Sequence, residues 1–417
     1  MNILWLSHNV PYPPKTGVLQ RNYNLLKEAS RIGDVYLLAF FQKAILPIAY
    51  DLDEARRELH RFCRYVEIVP EPVNSSHAAR YALALRSVST EDPYGVNWLK
   101  CHDMRRAIRR LAARVPFDVV HFDTLALAEY RDDVGDVRSI LNHHNIESHL
   151  MARRSHIEPN ILKRSYYAME ARKLEDYEAR HCGDFDVNFT VSDSDKAVLG
   201  EIVPGLRTAV IPNGVDIDYF TPSPSEPAER SLVFVGGMNW YPNRDAVLHL
   251  RREIWPLLTQ EVPDISLTIV GAHPPEEIMA MAREDSRVTV TGFVDDVRPY
   301  LQRAMIYICP MRDGGGTRLK ILDALATAKP IVSTTLGCEG IRVEPGRHAL
   351  LADTPSDFVR QIKRLLDSPF LRQKLAAEGR RLAEAHYSWR VIGARLRDAY
   401  SSLSSGTADA GSRELAG

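Results

Sequence analysis

Three consecutive glycines, residues 314–316, stand directly before a predicted helix whose first turn carries Arg318 and Lys320. Glycine adopts positive φ readily and lets backbone N–H groups approach a ligand closely. A helix N-terminus adds unpaired N–H donors and about half a positive charge, which suits phosphate. Because cations oppose the helix dipole at this end, a bound anion gives a reason for their position. The pattern indicates a nucleotide-diphosphate site; the alternative is a loop-to-helix junction with two solvated basic side chains.

Strand and helix patterns alternate along the chain on both sides of this loop. Runs rich in β-branched and aliphatic residues predict strands, and amphipathic segments between them predict helices, including one at 317–328. Strands are predicted at residues 2–7, 34–40, 65–69, 119–122, 139–143, 187–191, 231–235, 266–270, 288–291, 306–309, 330–333 and 348–351. This alternation predicts an α/β protein with two doubly wound parallel sheets, each with ligand loops at the carboxyl ends of its strands.

Length and composition favour two globular domains. A chain of 417 residues exceeds one ordinary domain. A segment rich in proline, serine and charge at 211–230 marks the boundary, so the first domain is predicted at 1–210 and the second at 211–386. The polar tail at 402–417 is predicted to be disordered. The net charge of −1 gives no general attraction to nucleic acid, and five scattered cysteines indicate a reducing cytosol.

Membrane contact is expected to be peripheral if it occurs at all. No signal-peptide pattern precedes the first strand, and the longest apolar run, 35–41, is far shorter than the roughly 20 residues that span a bilayer. We therefore expect a cytoplasmic protein. A predicted helix at 104–115 carries several arginines opposite an apolar stripe, which is a pattern that can lie on the anionic inner face of a plasma membrane. Packing of the stripe with solvated charges is the alternative.

Seven short motifs occur in register along the chain: PPKTG, HNIES, TVSDSD, IPNGVD, FVGGMNWYPN, TGFVDDV and GGGTRLKILDALATAKPIVST. Through them the chain resembles the retaining GT-B-fold glycosyltransferases of family 4 (group 1 type) over residues 1 to about 390. The resemblance implies two Rossmann-like domains facing a central cleft, with the acceptor bound by the first and the nucleotide sugar by the second. It also implies that a helix at 387–401 crosses back to the first domain.

The activity implied by the resemblance is transfer of a hexose, with retention of anomeric configuration, from a UDP- or GDP-linked donor. The implied acceptor is a glycan or polyprenyl-linked lipid, and the usual setting is bacterial exopolysaccharide or cell-surface glycan synthesis. In the mechanism implied by the resemblance, the departing diphosphate is stabilised by cations and helix amides, and its oxygen takes the proton of the incoming hydroxyl. No cofactor and no metal are expected, since the nucleotide sugar is a substrate and the histidines lack ligand spacing.

The resemblance assigns donor binding to the glycine loop, the helix start and two turns of the second domain. The implied donor residues are Gly237, Asn243, Phe293, Val294, Asp313, Gly315, Gly316, Thr317, Arg318, Leu319, Lys320 and Asp323. TGFVDDV resembles the turn that contacts the base, although a plain strand-to-helix connection is the alternative for it. The resemblance does not distinguish a uridine donor from a guanosine donor.

Two departures from the family pattern change the expected donor contacts. The family carries two acids spaced E-x7-E; Asp323 matches the second, which holds the ribose hydroxyls, whereas Gly315 stands where the first is expected. A solvated helix position is the alternative for Asp323. Met238 and Asn243 stand where the family has an Arg and a Lys that clasp the diphosphate. Arg318 and Lys320 are therefore expected to supply that charge, and with it catalytic stabilisation of the leaving group.

The acceptor side is assigned to the first domain. Gly17 follows rigid prolines and opens a helix, and Thr16 precedes it. The resemblance gives His144 a catalytic position facing the reacting sugar, with Asn145 beside it. His143 is the competing candidate, because adjacent strand residues point to opposite faces and one of the two must face the core. Two other classes stay open: a GT-B-like nucleotide-sugar epimerase and a non-catalytic partner in polysaccharide assembly. The donor sugar, linkage, pathway and oligomeric state are not determined.

Overall fold

The computed structural model describes residues 1–15, 17–42, 50–71 and 77–404. The chain forms two compact units, one from Met1–Ile211 with the C-terminal segment that begins at Ile392, and one from Pro212–Val391. Each unit is an α/β sandwich around its own parallel sheet. The predicted α/β fold with two doubly wound sheets is therefore confirmed.

The sheet of the first unit has seven parallel strands within the described residues, in the order β3-β2-β1-β4-β5-β6-β7. The strands are β1 Asn2–Ser7, β2 Asp34–Phe41, β3 Tyr65–Pro70, β4 Val119–Phe122, β5 Arg138–Asn142, β6 Val187–Thr190 and β7 Thr208–Val210. The helices are α1 Gly17–Ala29, α2 Leu52–Leu59, α3 His77–Val88, α4 Tyr94–Leu99, α5 His102–Ala112, α6 Glu147–Ile157, α7 Ile161–His181 and α8 Asp193–Ile202. The order reverses between β1 and β4, which makes this pair the switch point of the sheet.

The sheet of the second unit has six parallel strands in the described chain, in the order β10-β9-β8-β11-β12-β13. The strands are β8 Ser231–Val235, β9 Ser266–Val270, β10 Val288–Val290, β11 Ile306–Cys309, β12 Ile331–Ser333 and β13 Leu350–Leu351. The helices are α9 Tyr241–His249, α10 Trp255–Glu261, α11 Glu276–Glu284, α12 Arg298–Arg303, α13 Leu319–Ala326, α14 Pro355–Asp367 and α15 Pro369–Leu382. Here the switch point lies between β8 and β11.

The last helix, α16 Trp389–Ser404, begins in the second unit and belongs to the first from Ile392 onward. The helix extends to Ser404, past residue 402, where the disordered tail was predicted to begin. Leu403 within this stretch is fully buried. The prediction is corrected for residues 402–404, whose apolar member packs in the core. Residues 405–417 of that predicted tail lie outside the described residues.

The basic helix α5 packs its apolar side into the core of the first unit, where Met104 and Ile108 are buried. Its arginines pair with acids of the same unit. The pairs are Arg105 with Glu129 and Asp133, Arg106 with Asp103, Arg109 with Asp133, and Arg110 with Glu67. This pairing favours the packing interpretation over a membrane-facing helix. No described helix has the length and apolar character needed to cross a bilayer.

Candidate functional site

The glycine-rich loop of the second unit lies at the switch point of its sheet. β8 and β11 are neighbours, although β9 and β10 separate them in sequence. β8 leads into Gly236 and Gly237, and β11 leads into the loop that contains residues 314–316. The two loops leave the same edge of the sheet, where doubly wound folds bind ligands in the crevice between them.

Lys320 reaches from α13 to Asn243 in the first turn of α9, beside the loop after β8. Its Nζ donates a hydrogen bond to Oδ1 of Asn243, whose Nδ2 in turn donates to the carbonyl of Gly237 at 2.8 Å. The ammonium also lies 4.8 Å from the ring centroid of Phe234, within the range of a cation–π attraction. A Cβ at Gly236 would come within 2.7 Å of Nζ, so the bare glycine makes room for the cation. The two predicted donor residues Lys320 and Asn243 are thus brought together.

The charges on this side of the sheet are held in a partly desolvated environment. Burial lowers the pKa of Lys320 to about 8, and the neighbouring Arg318 charge acts in the same direction. Burial also raises the pKa of Asp323 to about 8, while the Lys320 charge opposes that rise. Asp323 is half-buried, which argues against the alternative of a solvated helix position. A dianionic ligand beside Lys320 would favour its charged form.

Arg318 stands before α13 in extended backbone (φ −82°, ψ 99°), so the helix begins one residue after it and later than predicted. Its side chain is buried. Nη1 donates to the carbonyl of Gly316 and lies 3.6 Å from Oε2 of Glu339. Gly314 and Gly316 have positive φ, 118° and 64°, which is the conformation that glycine was predicted to provide. The loop thus folds back around the guanidinium.

Other predicted donor residues of the loop are partly or fully buried. Oδ1 of Asp313 accepts the N–H of Gly314 at 2.6 Å, so this carboxylate stabilises the loop. The carbonyl of Thr317 accepts from Nδ2 of Asn213 at 3.3 Å. Gly315, at the position of the absent family acid, is half-buried. These contacts fix the backbone path into the helix.

Of three further predicted donor residues, Phe293 lies away from the switch point, and Val294 and Leu319 pack against the core. Phe293 is 60% exposed in the turn after β10, and Val294 and Leu319 pack against the core of the second unit. β10 is the edge strand, two strands from β8. Contact between Phe293 and a nucleotide base stays a prediction, since the turn is distant in strand order from Lys320.

In the first unit, polar side chains follow the three neighbouring strands β1, β4 and β5. Asp123 is fully buried after β4 and accepts hydrogen bonds from the amides of Asn22 and, at 3.2 Å, Asn142. Nδ1 of His8 lies 3.2 Å from its Oδ2, and Nε2 of His144 lies 3.3 Å from its Oδ1. Burial alone would raise the pKa of Asp123, but the imidazoles of His144 and His8 hold it well below its usual range.

The two adjacent histidines point to different environments. Nε2 of His143 lies 2.9 Å from Oδ1 of Asn188, and burial lowers the pKa of His143 to about 4. His143 is therefore the core-facing member and is neutral. His144 faces Asp123, and burial lowers its pKa while the Asp123 charge opposes that shift. The catalytic role of His144 stays a prediction.

The remaining acceptor-side predictions are only partly located. Gly17 is exposed and is the first residue of α1, whose Asn22 reaches Asp123. Asn145 is half-buried beside His144. Thr16 lies outside the described residues.

Comparison with known families accounts for both halves of the chain. The family model described as "Glycosyltransferase Family 4" matches residues 53–219, and the one described as "Glycosyl transferases group 1" matches residues 229–368. The chain belongs to the GT-B-fold glycosyltransferases of family 4. Relatives include a GDP-mannose-dependent mannosyltransferase of Corynebacterium glutamicum acting on monoacylated phosphatidylinositol monomannoside, 26% identical over 209 residues. Another is the gpi3 subunit of phosphatidylinositol N-acetylglucosaminyltransferase from Schizosaccharomyces pombe, 26% identical over 233 residues.

These alignments cover 45% and 53% of this chain, and 54% and 50% of the two relatives. The chain thus spans about half the length of the curated relatives it matches. Solved structures extend the similarity of fold over nearly the whole chain. Sucrose-phosphate synthase of Thermosynechococcus elongatus has a TM-score of 0.73 at 16% identity and covers 98% of this chain and 100% of its own. HepE of Anabaena in complex with UDP has a TM-score of 0.64 at 15% identity, covering 96% and 100%.

One group in this chain has metal-ligand spacing among the described residues: His8, Asp123 and His144 offer ligand atoms within 4.8 Å of one another. The expectation that the histidines lack such spacing is corrected, because strand order rather than sequence spacing brings them together. Oδ2 of Asp123 accepts from Asn22 and from the hydroxyl of Ser7 and also faces His8. Oδ1 accepts from Asn142 and faces His144, so the carboxylate has little capacity left for an ion. The set fits a hydrogen-bonded network better than a metal site. That the reaction needs no metal stays a prediction.

Several residues of the two sites were missed by sequence reasoning. They are Phe234, Gly236 and Glu339 around the two cations, and His8, Asn22 and Asp123 in the first unit. A polar residue directly after a buried strand is the signal that would have found His8 and Asp123. Glu339 lies in the glycine turn GCEG that comes after β12, so it too is a polar residue that follows a buried strand.

Proposed function

We propose that this protein transfers a sugar from a UDP- or GDP-linked donor to a glycan or lipid-linked acceptor with retention of configuration. The proposed setting is exopolysaccharide or cell-surface glycan synthesis. The single observation that carries the proposal is the position of Lys320 at the β8–β11 switch point, hydrogen-bonded to Asn243. The family position at Asn243 lacks its usual cation, and α13 delivers one to the same place.

The charge balance supports a diphosphate as the ligand. Lys320 and Arg318 bring two cationic side chains beside a loop with two positive-φ glycines, and the Glu339 carboxylate near Arg318 offsets part of their charge. A nucleoside diphosphate linked to a sugar carries about two negative charges, and cations facing the bridging oxygens stabilise it as it leaves. Hydrogen bonds from charged donors are stronger than neutral ones, which suits a leaving group whose charge grows in the transition state. Both cations act on kcat as well as on donor affinity.

The proton of the acceptor hydroxyl goes to the departing diphosphate oxygen in this proposal. The acceptor oxygen forms the new bond to the anomeric carbon on the face from which the diphosphate leaves, and the electrons of the broken bond remain on the phosphate oxygen. Neutral His144 would hold a sugar hydroxyl during this step. Support for neutrality is the lowering of its pKa by burial.

The known relatives are compatible with either a uridine or a guanosine donor. The Corynebacterium relative is named as GDP-mannose-dependent, whereas HepE was solved with UDP. The test is therefore a panel of UDP-sugars and GDP-mannose, each incubated with the protein and analysed by mass spectrometry and proton NMR. Slow donor hydrolysis or transfer supports the proposal, and the anomeric coupling of the product decides between retention and inversion.

Two variants test whether turnover of the donor depends on Lys320. Lys320→Met should lose turnover of the same donor, whereas Lys363→Met, a change at an exposed lysine paired with Glu261 in the same unit, should not. A donor that is epimerised but never cleaved would assign the protein to the epimerase class. Donor binding without cleavage of any sugar, in the presence of crude glycolipid acceptor, would favour a non-catalytic assembly role.

A further inference from the structure

The outer side of α3 is apolar and open to solvent. Tyr81, Leu85 and Val88 lie at positions i, i+4 and i+7, which places them on one side of the helix. Tyr81 and Leu85 are 76% and 75% exposed. Leu83, on the opposite side, is half-buried, so α3 is apolar on both sides. A helix of this kind is ordinarily buried all round, and its open side therefore indicates a contact surface.

A second open apolar group lies at the corner between α6 and α7. Ile157 ends α6, and Ile161 and Leu162 begin α7; all three are exposed, Leu162 by 82%. These two short segments hold nearly half of the large exposed apolar side chains found among the described residues. Single exposed apolar residues are normal, whereas a concentration of them indicates a site of interaction.

The helix α7 connects the two groups. Nζ of Lys173, in the second half of α7, donates hydrogen bonds to the carbonyls of Ser87, Val88 and Thr90 at the end of α3. The stretch of α7 from Ile161 to Lys173 is about 18 Å long, so the two groups are neighbours on the first unit. Together they are called the α3–α7 surface, which consists of Tyr81, Leu85, Val88, Ile157, Ile161 and Leu162.

The basic residues beside this surface outnumber the acidic ones. Residues 72–90 contain no Asp or Glu, although the chain has 54 acidic residues, and Arg86 is exposed on α3. At the α6–α7 corner Lys163 and Arg164 are exposed, whereas Glu158 is buried and ion-paired at 3.2 Å with an arginine of α6. Arg86 and Lys163 form no ion pair with any described residue. Their charges are therefore available to an anionic partner.

This charge favours an anionic membrane over a second copy of the chain. Glu91 and Asp92, the first acids after α3, each form an ion pair with a basic residue. The exposed acids of α7, Glu175 and Asp176, lie in the half of the helix away from the α6–α7 corner. Self-association through the α3–α7 surface would bring like charges together, whereas anionic lipid head groups attract them.

We propose that the α3–α7 surface docks the first unit on an anionic lipid membrane. The apolar side chains enter the boundary between head groups and acyl chains, and Arg86, Lys163 and Arg164 contact the head groups. Tyr81 suits this boundary because its ring is apolar and its hydroxyl is polar. The inference goes beyond the proposed function and does not depend on it. It favours the lipid-linked member of the proposed acceptors, since such an acceptor is anchored in a membrane.

Vesicle sedimentation with the full chain tests the docking. The wild type is mixed with vesicles of phosphatidylcholine alone or of phosphatidylcholine with phosphatidylglycerol, at low and high salt and without a sugar donor. It should bind the mixed vesicles at least about tenfold more strongly than phosphatidylcholine. Salt should weaken this binding, because it screens the basic side chains. No lipid-dependent sedimentation, or equal binding to both vesicles, would overturn the proposal.

Paired substitutions locate the contact. Tyr81→Ser with Leu85→Ser, and Ile161→Ser with Leu162→Ser, should each lower the partition coefficient at least about tenfold, since each pair removes two side chains that leave water on docking. Their melting temperatures should match the wild type, because all four positions are exposed. Phe370→Ser, at a residue 77% exposed in the second unit, is the matched control and should sediment like the wild type. Undiminished partition of either pair would contradict the assignment.

Single charge changes test the electrostatic part. Arg86→Gln and Lys163→Gln should each lower binding to the mixed vesicles about three- to fivefold and leave binding to phosphatidylcholine unchanged. Arg106→Gln on α5, at an exposed arginine paired with Asp103, should match the wild type. A loss in Arg106→Gln as large as in Arg86→Gln would move the contact to α5 and overturn the α3–α7 assignment.

Two further measurements separate a membrane from other occupants. Fluorescence of Leu85→Trp, after subtraction of the wild-type signal, should shift to shorter wavelength on mixed vesicles and be quenched by brominated phosphatidylcholine; Phe370→Trp should show neither change. Absence of both changes in vesicle-bound Leu85→Trp would overturn the proposal. Sedimentation velocity without lipid tests self-association: a wild-type dimer that the paired Tyr81 and Leu85 substitutions abolish would assign the surface to a second copy instead. Because no donor is used, a failure of sugar transfer leaves these results unaffected.

Discussion

Replacing Lys320 by methionine removes one charge and little else from the proposed donor site. Methionine has a similar unbranched stem, so contact with the ring of Phe234 is retained in part. What is lost is the ammonium that donates to Asn243 beside the loop after β8. The affinity for a nucleoside diphosphate should fall because the phosphate oxygens lose a charged donor.

The size of the effect follows from two numbers. A hydrogen bond to a charged group contributes roughly 1.5–3 kcal/mol, which corresponds to about 10- to 150-fold in affinity. Burial lowers the pKa of Lys320 to about 8. At pH 7.5 roughly three quarters of the free protein would carry the charge, and at pH 9 about one tenth. Wild-type affinity should therefore fall by up to about tenfold between these values, since an anion binds the protonated lysine, and Lys320→Met should lack that component.

Titration calorimetry with UDP and GDP at pH 7.5 and 9.0 measures both effects. Asp323, whose pKa burial also raises to about 8, titrates in the same range, so Asp323→Asn is measured alongside and should keep the pH dependence that Lys320 causes. Lys363→Met is the control for a charge change elsewhere in the unit. Equal affinity of Lys320→Met and wild type for both nucleotides at pH 7.5 would refute the assignment of Lys320 to the diphosphate.

Four further changes test neighbouring parts of the structure. Gly236→Ala places a Cβ within 2.7 Å of Nζ of Lys320 and 2.9 Å of Nδ2 of Asn243, so both side chains must shift and calorimetry should show nucleotide affinity falling toward that of Lys320→Met. Arg318→Ala removes a buried guanidinium and should weaken UDP or GDP binding at least about tenfold by the same assay. Asp323→Asn should raise the melting temperature at pH 8 more than at pH 5: the raised pKa means that the folded wild type keeps a proton that the unfolded chain releases above about pH 4, so wild-type stability declines as pH rises to about 8. His143→Ala should lower the free energy of unfolding in urea by about 2 kcal/mol or more, because it leaves a cavity and a buried amide without its partner; an unchanged urea midpoint would contradict its core role.

The strands that the sequence predicted best are those whose apolar runs end abruptly at turn residues. β1, β4, β8, β9 and β11 have the predicted bounds, since most residues of each are buried and each is followed by a polar residue, a glycine or a proline. β7 and α3 were not predicted. β7 has only three half-buried residues, and α3 exposes Tyr81 and Leu85, so neither shows a clear periodic pattern.

Site residues that a local sequence pattern identifies were predicted from the sequence. Those brought together only by the order of strands in a sheet were missed. Lys320 was identified from a loop and a helix start, but its contact with Asn243 spans 77 residues and depends on β8 lying next to β11. His8 and Asp123 are 115 residues apart and meet only because β1 neighbours β4. Sequence periodicity predicts that strands exist but does not give their order in a sheet, so these pairs became visible only in the fold.

Comparing nucleoside diphosphates with monophosphates in the wild type and in Lys320→Met tests most directly whether α13 and its loop hold the donor diphosphate. Calorimetry of UDP against UMP, and of GDP against GMP, isolates the contribution of the second phosphate. The wild type should bind one of the diphosphates at least about tenfold more tightly than its monophosphate, and Lys320→Met should lose most of that difference. Equal affinities in the wild type, or an undiminished difference in Lys320→Met, would contradict the assignment.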